Sequence, residues 1–548
     1  MSYFKKFWIL LLILFLACIL RFYELPNNPS GLTWDEAALG YNSYSLLQTG
    51  RDEYGTLLPL NLKSFGDWKP AFYVYLDIPF VAILGLNELA VRFPSAIFGI
   101  LGVLGIYLLV NELFKKKSLA LLAAFFLAIS PWHIQFSRPA FEANVALTFN
   151  IFGVYFFLKG LRNKKWFIWS ALVFGLSLLT YQASRLFVPL LILGLLFIFK
   201  KDYHRKNLIA PTLVIIFFLS LVGWTFLTGQ TSRLATQNFF AYSRSQVEIK
   251  TITNEDGMDV NSLGFQLLHG EWWAYTKGLV ERYLIYFSPK MLFTDGDYSQ
   301  RHKVPDLGVL YYFSVILIPL GIVYLLKFGG AGNKIIFFWL LLASLPAVLS
   351  RDLISILRAF NMVIPWVILE AAGIWWLIEK IRGVKKYWGY MVTILIGLVI
   401  IANFLIYLDR YFVHAPKEYS NYWLYGYKQV FEDLINMDLS NKNQIVVTDI
   451  YGQPYIYYLF YTKFPPEKFQ KQAQLDQPGV DVGSVRNIDN IEFRHIYWPA
   501  DRGEKNSLFI GSFDELPDKD ILSYPEYKIL KDINFLNGLP AFRIVETQ

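Results

Sequence analysis

A succession of apolar stretches, each close to the length of a bilayer-crossing helix, constrains this chain more than any other feature. A crossing helix needs about 20 mostly apolar residues, with a working range of roughly 17 to 25. The candidates are 7–23, 94–113, 118–134, 141–159, 166–181, 186–199, 208–229, 307–326, 335–350, 359–379 and 387–408, eleven in all. A twelfth apolar segment, 71–86, is short and carries Asp77 and Pro79. Lys5 and Lys6 ahead of the first stretch resemble a signal-peptide start, but the apolar run continues through Ile19 and Leu20 without a small-residue cleavage context. It is read as an uncleaved first span.

The basic residues decide the topology. If 71–86 does not cross, the turns on one side hold Lys5/Lys6, Lys115 to Lys117, Arg162/Lys164/Lys165, Lys200/Lys201/Arg205/Lys206, Lys327/Lys334 and Lys380/Arg382/Lys385/Lys386. Every basic cluster then falls on the inner face, as orientation in a bilayer requires. If 71–86 crosses, the later clusters all move outside. The segment is therefore expected to be an outer juxtamembrane helix. The same clustering accounts for the net charge of +8 and excludes a nucleic-acid partner. The single Cys18 lies within an apolar run, so neither a disulfide framework nor a cysteine metal site is expected.

The expected fold class is an α-helical polytopic membrane protein of about eleven spans. It divides into a membrane catalytic domain, 1–408, and an outer soluble α/β domain, 409–548. The membrane domain carries two large outer loops, 24–93 and 230–306. Within the tail, a helical pattern from Tyr422 to Met437 precedes a strand-like run from Gln444 to Thr448. The inner turns are short and basic, so chemistry is expected on the outer side, where acids, bases and aromatics mix. Polar residues at membrane depth are functional candidates by default.

Thr33-Trp34-Asp35-Glu36 has capping-box spacing, with Thr33 capping a helix and Glu36 reaching back. Asp35 then sits in the first turn, where the helix dipole favours the ionised form suited to a base. Asp67-Trp68-Lys69-Pro70 precedes the juxtamembrane segment; with Pro70 as the first helical residue, Lys69 would stand at a helix N-terminus suited to a phosphate. Arg138 and Glu142 are four apart at the start of the fourth span and are expected to pair on one helix face, near His133. Tyr181 with Arg185, and Arg351 with Arg358, mark two further outer turns, and His302 lies just before the eighth span. Each of these also has a plain structural reading as a cap, an interfacial anchor or a solvated loop residue. No P-loop, GxGxxG, HExxH or CxxC motif is present.

Together these residues resemble the GT-C superfamily of membrane glycosyltransferases, in particular the branch related to protein O-mannosyltransferases and the aminoarabinose transferases of lipid A. The resemblance is carried by Trp34-Asp35-Glu36, Lys69-Pro70, the run from Asn87 to Ala96, Ser137-Arg138 with Glu142, Tyr181 to Pro189, Arg301-His302 and the Arg351–Arg358 turn. It implies an inverting transfer from a polyprenyl-phosphate-linked sugar donor to a glycan, lipid or protein hydroxyl. The site would lie on the outer face of a plasma membrane, most simply a bacterial cytoplasmic membrane. Catalytic roles fall to Asp35, Glu36 and Glu142, and substrate-binding roles to Lys69, Asp67, Arg138, Tyr181, Arg185, His302 and Arg358. No cofactor is required, although the carboxylates could hold a divalent metal. The chain departs from the pattern at Ala71 after Pro70, at Glu142 where an Asp is common, and at Ser355 where a His is common. A transporter of lipid-linked sugars is the rival reading; it lacks the paired Gly/Pro-broken spans such proteins show.

Overall fold

The computed structural model describes residues 3–230, 238–241, 244–328, 330–381, 386–439, 441–476 and 483–548. Its membrane half begins with α1 (Tyr3–Phe22), α2 (Trp34–Thr49), a hairpin of β1 (Asn61–Ser64) and β2 (Asp67–Pro70), and α3 (Phe72–Leu84). There follow α4 (Glu88–Phe114), α5 (Lys117–Ile129), α6 (Pro131–Ser137), α7 (Glu142–Gly160), α8 (Lys165–Thr180), α9 (Ser184–Ile198) and α10 (Ile209–Leu227). Three further helices span Ser314–Phe328, Val363–Ile381 and Lys386–Asp409, with Gly330–Ala343 between the first two. Among the described residues, six helices are long and apolar enough to cross a membrane, or seven if the bent pair α5–α6 is one span. Five shorter apolar helices include α3. At 13 residues α3 is roughly 20 Å long, short of the hydrocarbon thickness.

Local chemistry explains the breaks. Ser130 precedes Pro131, which disfavours helical geometry, and α5 and α6 meet at 59°. Ser130 Oγ caps the new helix by accepting from His133 N at 3.3 Å. Arg21 of α1 donates to the freed carbonyls of Ala128 (3.1 Å) and Leu127 (3.4 Å), which satisfies backbone groups that lipid could not. Helices Ser314–Phe328 and Val363–Ile381 cross through Gly321 and Gly373; a Cβ at either would lie 2.0 Å from a carbonyl of the other helix.

Beyond the bundle, a six-stranded sheet runs in the order Asn487–Ile488, Ile491–Phe493, Ile445–Val447, Leu508–Gly511, Pro540–Thr547, Tyr527–Asn534. Ile445–Val447 pairs parallel to both its neighbours and the other pairings are antiparallel. The helical pattern read from Tyr422 to Met437 forms a helix over Tyr427–Asn436, and another helix spans Pro454–Tyr461. The tail does not keep its core to itself. Leu32, Ala37, Tyr41, Leu62 and Tyr73 of the first loop share one apolar cluster with Tyr427, Ile445, Tyr457, Phe460 and Phe542. Tyr457 Oη donates to Leu32 O at 2.9 Å, and Tyr41 Oη donates to Phe464 O at 3.0 Å.

Candidate active site

The turns that join alternate helices converge on a cavity of about 230 Å³ lined by Thr33, Asp35, Glu36, Lys69, Pro70, Ala140, Phe141, Glu142, Tyr181, Gln182, Arg301, His302, Asp352, Ser355, Leu357 and Arg358. Both halves of the capping box form: Thr33 Oγ1 accepts from Glu36 N at 3.2 Å, and Thr33 N donates to Glu36 Oε2 at 3.0 Å. That cap fixes the first turn of α2 and presents Asp35 to the cavity with its side chain about half exposed. Lys69, nearly buried, donates to Asp35 Oδ1 and lies 5.1 Å from the Phe65 ring centroid.

Lys69 reaches this position by a route the sequence reading did not anticipate. Phe65 and Gly66 both adopt left-handed backbone (φ 54° and 79°), as a tight hairpin turn requires, and Asp67–Pro70 forms a strand facing Asn61–Ser64. Helix α3 starts only at Phe72, so Pro70 is not its first residue and Lys69 stands on a strand, not at a helix N-terminus.

Glu36 occupies the cavity wall but its carboxylate is committed to the scaffold. Oε1 accepts from Arg92 Nε at 3.0 Å and from Ala140 N at 3.1 Å, and Arg92 also donates to the carbonyls of Leu25 and Pro29 at 3.0 Å each. Arg92 is fully buried. It stood within the stretch from Asn87 to Ala96, yet nothing in its spacing marked Glu36 as its partner.

The structure brings Asp35, Glu36, Lys69, Glu142, Tyr181, His302 and Arg358 to one cavity and leaves Asp67, Arg138 and Arg185 out of its wall. Residues 138–141 break the chain between α6 and α7, so Arg138 and Glu142 share no helix face. Arg138 donates instead to the carbonyls of Leu20 (2.8 Å), Tyr23 (2.7 Å) and Asn28 (2.8 Å), locking α1 to that break. Arg185 donates to Asn61 Oδ1 at 3.2 Å and so steadies the hairpin that carries Lys69. Asp67 is buried in β2 opposite Ser64. The cavity also includes Arg301, 4.9 Å from the Trp34 ring centroid, and Asp352, 2.5 Å from Arg358 Nη1. Their sequence signals were a basic doublet before a span and an acid beside an arginine turn.

An apolar cavity of about 350 Å³ adjoins this one and shares Tyr181, Gln182 and Arg358 with it; its other walls include Leu186, Phe240, Pro346 and Leu349. The arrangement suits an amphiphile, with an anionic group among Lys69, Arg301 and Arg358 and an apolar body beyond Tyr181. Among the described residues no group of three or more His, Cys, Asp or Glu could hold a metal ion.

Behind Lys69, Glu53 is fully buried, and burial, aided by the Asp52 charge, pushes its carboxyl up to about 8 against the opposing Asn42 hydrogen bond and Lys69 charge. Because this value exceeds that of an unfolded glutamate, the unfolded chain releases the proton first, and stability falls as pH rises from about 4.5 to about 8. The loss amounts to about 3 kcal/mol at pH 7. Glu53→Gln is therefore expected to flatten that slope and raise the melting temperature more at pH 7.5 than at pH 5. Parallel melts of both proteins in lipid nanodiscs measure this, and equal slopes would refute it.

Residues 69–224 match the family model described as dolichyl-phosphate-mannose-protein mannosyltransferase. Over 234 residues the chain is 30% identical to an uncharacterized protein of Aquifex aeolicus (strain VF5), a match covering 41% of this chain and 43% of that one. Its fold is similar to that of ArnT from Cupriavidus metallidurans in the apo state, with a TM-score of 0.55, 12% identity, and coverage of 98% of this chain and 97% of ArnT. It is also similar to the archaeal oligosaccharyltransferase AglB from Archaeoglobus fulgidus, solved with an inhibitory peptide and a dolichol-phosphate, with a TM-score of 0.53 and 15% identity. That match covers 84% of this chain and spans 64% of the length of AglB. The protein is a membrane protein whose fold is similar to those of ArnT and AglB.

Proposed function

We propose that the chain is an inverting glycosyltransferase that moves a sugar from a polyprenyl-phosphate carrier to an acceptor hydroxyl on the outer face of the membrane. The observation that carries this reading is the Asp35–Lys69 pair in a polar cavity that shares Tyr181, Gln182 and Arg358 with an apolar one. A second solved structure of ArnT, with 10% identity and a TM-score of 0.53, has undecaprenyl phosphate bound, and AglB was solved with dolichol-phosphate. Both are lipid phosphates of the shape the two joined cavities would take.

The donor's phosphate settles among Lys69, Arg301 and Arg358, and its prenyl chain follows the apolar wall. Drawing Lys69 toward the phosphate loosens its hold on Asp35. Asp35 then takes the proton from the acceptor hydroxyl as that oxygen attacks the anomeric carbon. The bond between the anomeric carbon and the phosphate oxygen breaks on the opposite face, and the phosphate leaves with the electron pair, its charge held by the three cations. Glu142 and Tyr181 border the space between donor and acceptor and would hold sugar hydroxyls. This scheme needs no metal.

The test is transfer itself: the full chain in proteoliposomes, given radiolabelled hexose and pentose polyprenyl phosphates and envelope extract as acceptor. Consumption of a donor with release of polyprenyl phosphate supports the proposal. Movement of the donor between leaflets without bond transfer would instead support a transporter. Lys69→Met and Arg358→Met are each expected to raise the donor KM by about 10- to 100-fold, the worth of one charge-assisted hydrogen bond. Donor titration reads this directly, and unchanged KM in both variants would remove the phosphate from this position.

A further inference from the structure

His302 is the one imidazole in the cavity wall, and the structure shows how it is held. Its Nδ1 lies 3.1 Å from Asp297 Oδ2. Asp297 is 4% exposed, and its carboxylate also accepts from Ile356 N at 2.9 Å and from Ser299 N at 3.0 Å. Burial alone would push this carboxyl up, but the His302 hydrogen bond and the two backbone N–H groups oppose it, and it is held below the usual carboxylate value. The imidazole packs at an angle against Phe136 and Phe141, with ring centroids 5.5 and 5.8 Å away, and the two phenyls also touch each other. Among the described residues its Nε2 has no hydrogen-bond partner.

We infer that Asp297 is a positioning residue that holds His302 as its Nδ1–H tautomer, so that the bare Nε2 accepts a hydroxyl hydrogen from a sugar in the cavity. An ionised carboxylate cannot donate, so the hydrogen between the two groups belongs to Nδ1. In the neutral ring the lone pair then falls on Nε2. Turning the ring to exchange its nitrogens would break the contact between Nδ1 and Asp297. Through Ile356 N the same carboxylate ties the segment bearing His302 to the turn bearing Arg358, so one side chain sets the distance between a hydroxyl acceptor and a phosphate-binding cation. The inference rests on the glycosyl-transfer reading for the identity of the ligand, but the tautomer does not depend on it.

The experiment has two readouts on the full chain in bilayers. Nitrogen-15 resonances of the six histidines, with His302 assigned by its loss in His302→Gln, report which nitrogen carries hydrogen. A protonated Nδ1 and bare Nε2 that become mixed in Asp297→Asn are expected. An Nε2–H form in the wild type, or a spectrum unaffected by Asp297→Asn, overturns the inference, and the wild-type spectrum decides even if that variant does not fold. In transfer assays Asp297→Asn should lower kcat/KM about 10- to 100-fold, as loss of a partner that orients a functional imidazole does. The same substitution should cost nothing further in a His302→Gln background; a multiplied loss would assign Asp297 a merely structural role. A wild type that transfers no sugar defeats the glycosyl-transfer reading while the resonances still decide the tautomer.

Discussion

Asp35→Asn is expected to reduce sugar transfer by about three orders of magnitude, within the range a general base contributes, and to leave the protein folded. Asparagine keeps the shape of the side chain and its place in the first turn of α2, where Thr33 and Glu36 make the cap without help from position 35. The Asp35 side chain is 48% exposed, so loss of its pairing with Lys69 should cost less than about 1 kcal/mol of stability. What disappears is the group that can take the acceptor's proton. Single-turnover transfer from a preloaded donor isolates that step from donor binding, and a thermal melt of the same sample checks the fold. Retention of more than a tenth of the wild-type rate would transfer the base to another residue, with Glu142 the next carboxylate in the cavity.

The neighbouring acid should behave in the opposite way. Glu36→Ala is expected to destabilise the protein by about 3–5 kcal/mol, because it leaves the buried Arg92 guanidinium without its carboxylate. It also removes the acceptor for Ala140 N and for the Thr33 cap. Arg92→Ala should cost a similar amount, since Glu36 would then be the uncompensated charge and the carbonyls of Leu25 and Pro29 would lose their donor. Yield and melting temperature in nanodiscs measure both effects. A stable, inactive Glu36→Ala would contradict the scaffold role and return Glu36 to the chemistry.

Sequence reasoning reached the cap at Thr33–Glu36 because capping is local: only three peptide units separate the two residues whose side chains and backbone N–H groups must meet. It reached the bundle because bilayer thickness imposes length and hydropathy on every crossing segment. Seven of its ten site residues line one cavity, since acids and bases at membrane depth have few other uses. The failures share a cause. Lys69-Pro70 reads as a helix start unless the turn at Phe65-Gly66 is recognised, and a phenylalanine at positive φ gives little warning of one. Arg138 and Glu142 have helical spacing but no helix between them. Arg92 finds Glu36, and Asp297 finds Ile356 N, more than fifty residues away across the fold, where no spacing rule applies. Eleven apolar segments coincide with helices in the structure, yet among the described residues six helices, or seven with the bent pair, have the length and hydropathy to cross alone.

The apolar cluster shared by the first loop and the tail bears on how the protein is made. Residues near Thr33 leave the ribosome early, but Tyr457, Phe460 and Phe542, which complete their packing, emerge only after every helix of the bundle has been inserted. Until then Tyr41 lacks the Phe464 carbonyl and the Phe469 ring, and Leu32 lacks the Tyr457 hydroxyl, so the segment bearing Asp35 and Lys69 has no finished foundation. The membrane bundle can therefore assemble during synthesis while the reactive end remains incomplete. Activity should appear as a late, single event in biogenesis, and a chain stalled before its tail would be inserted but inert.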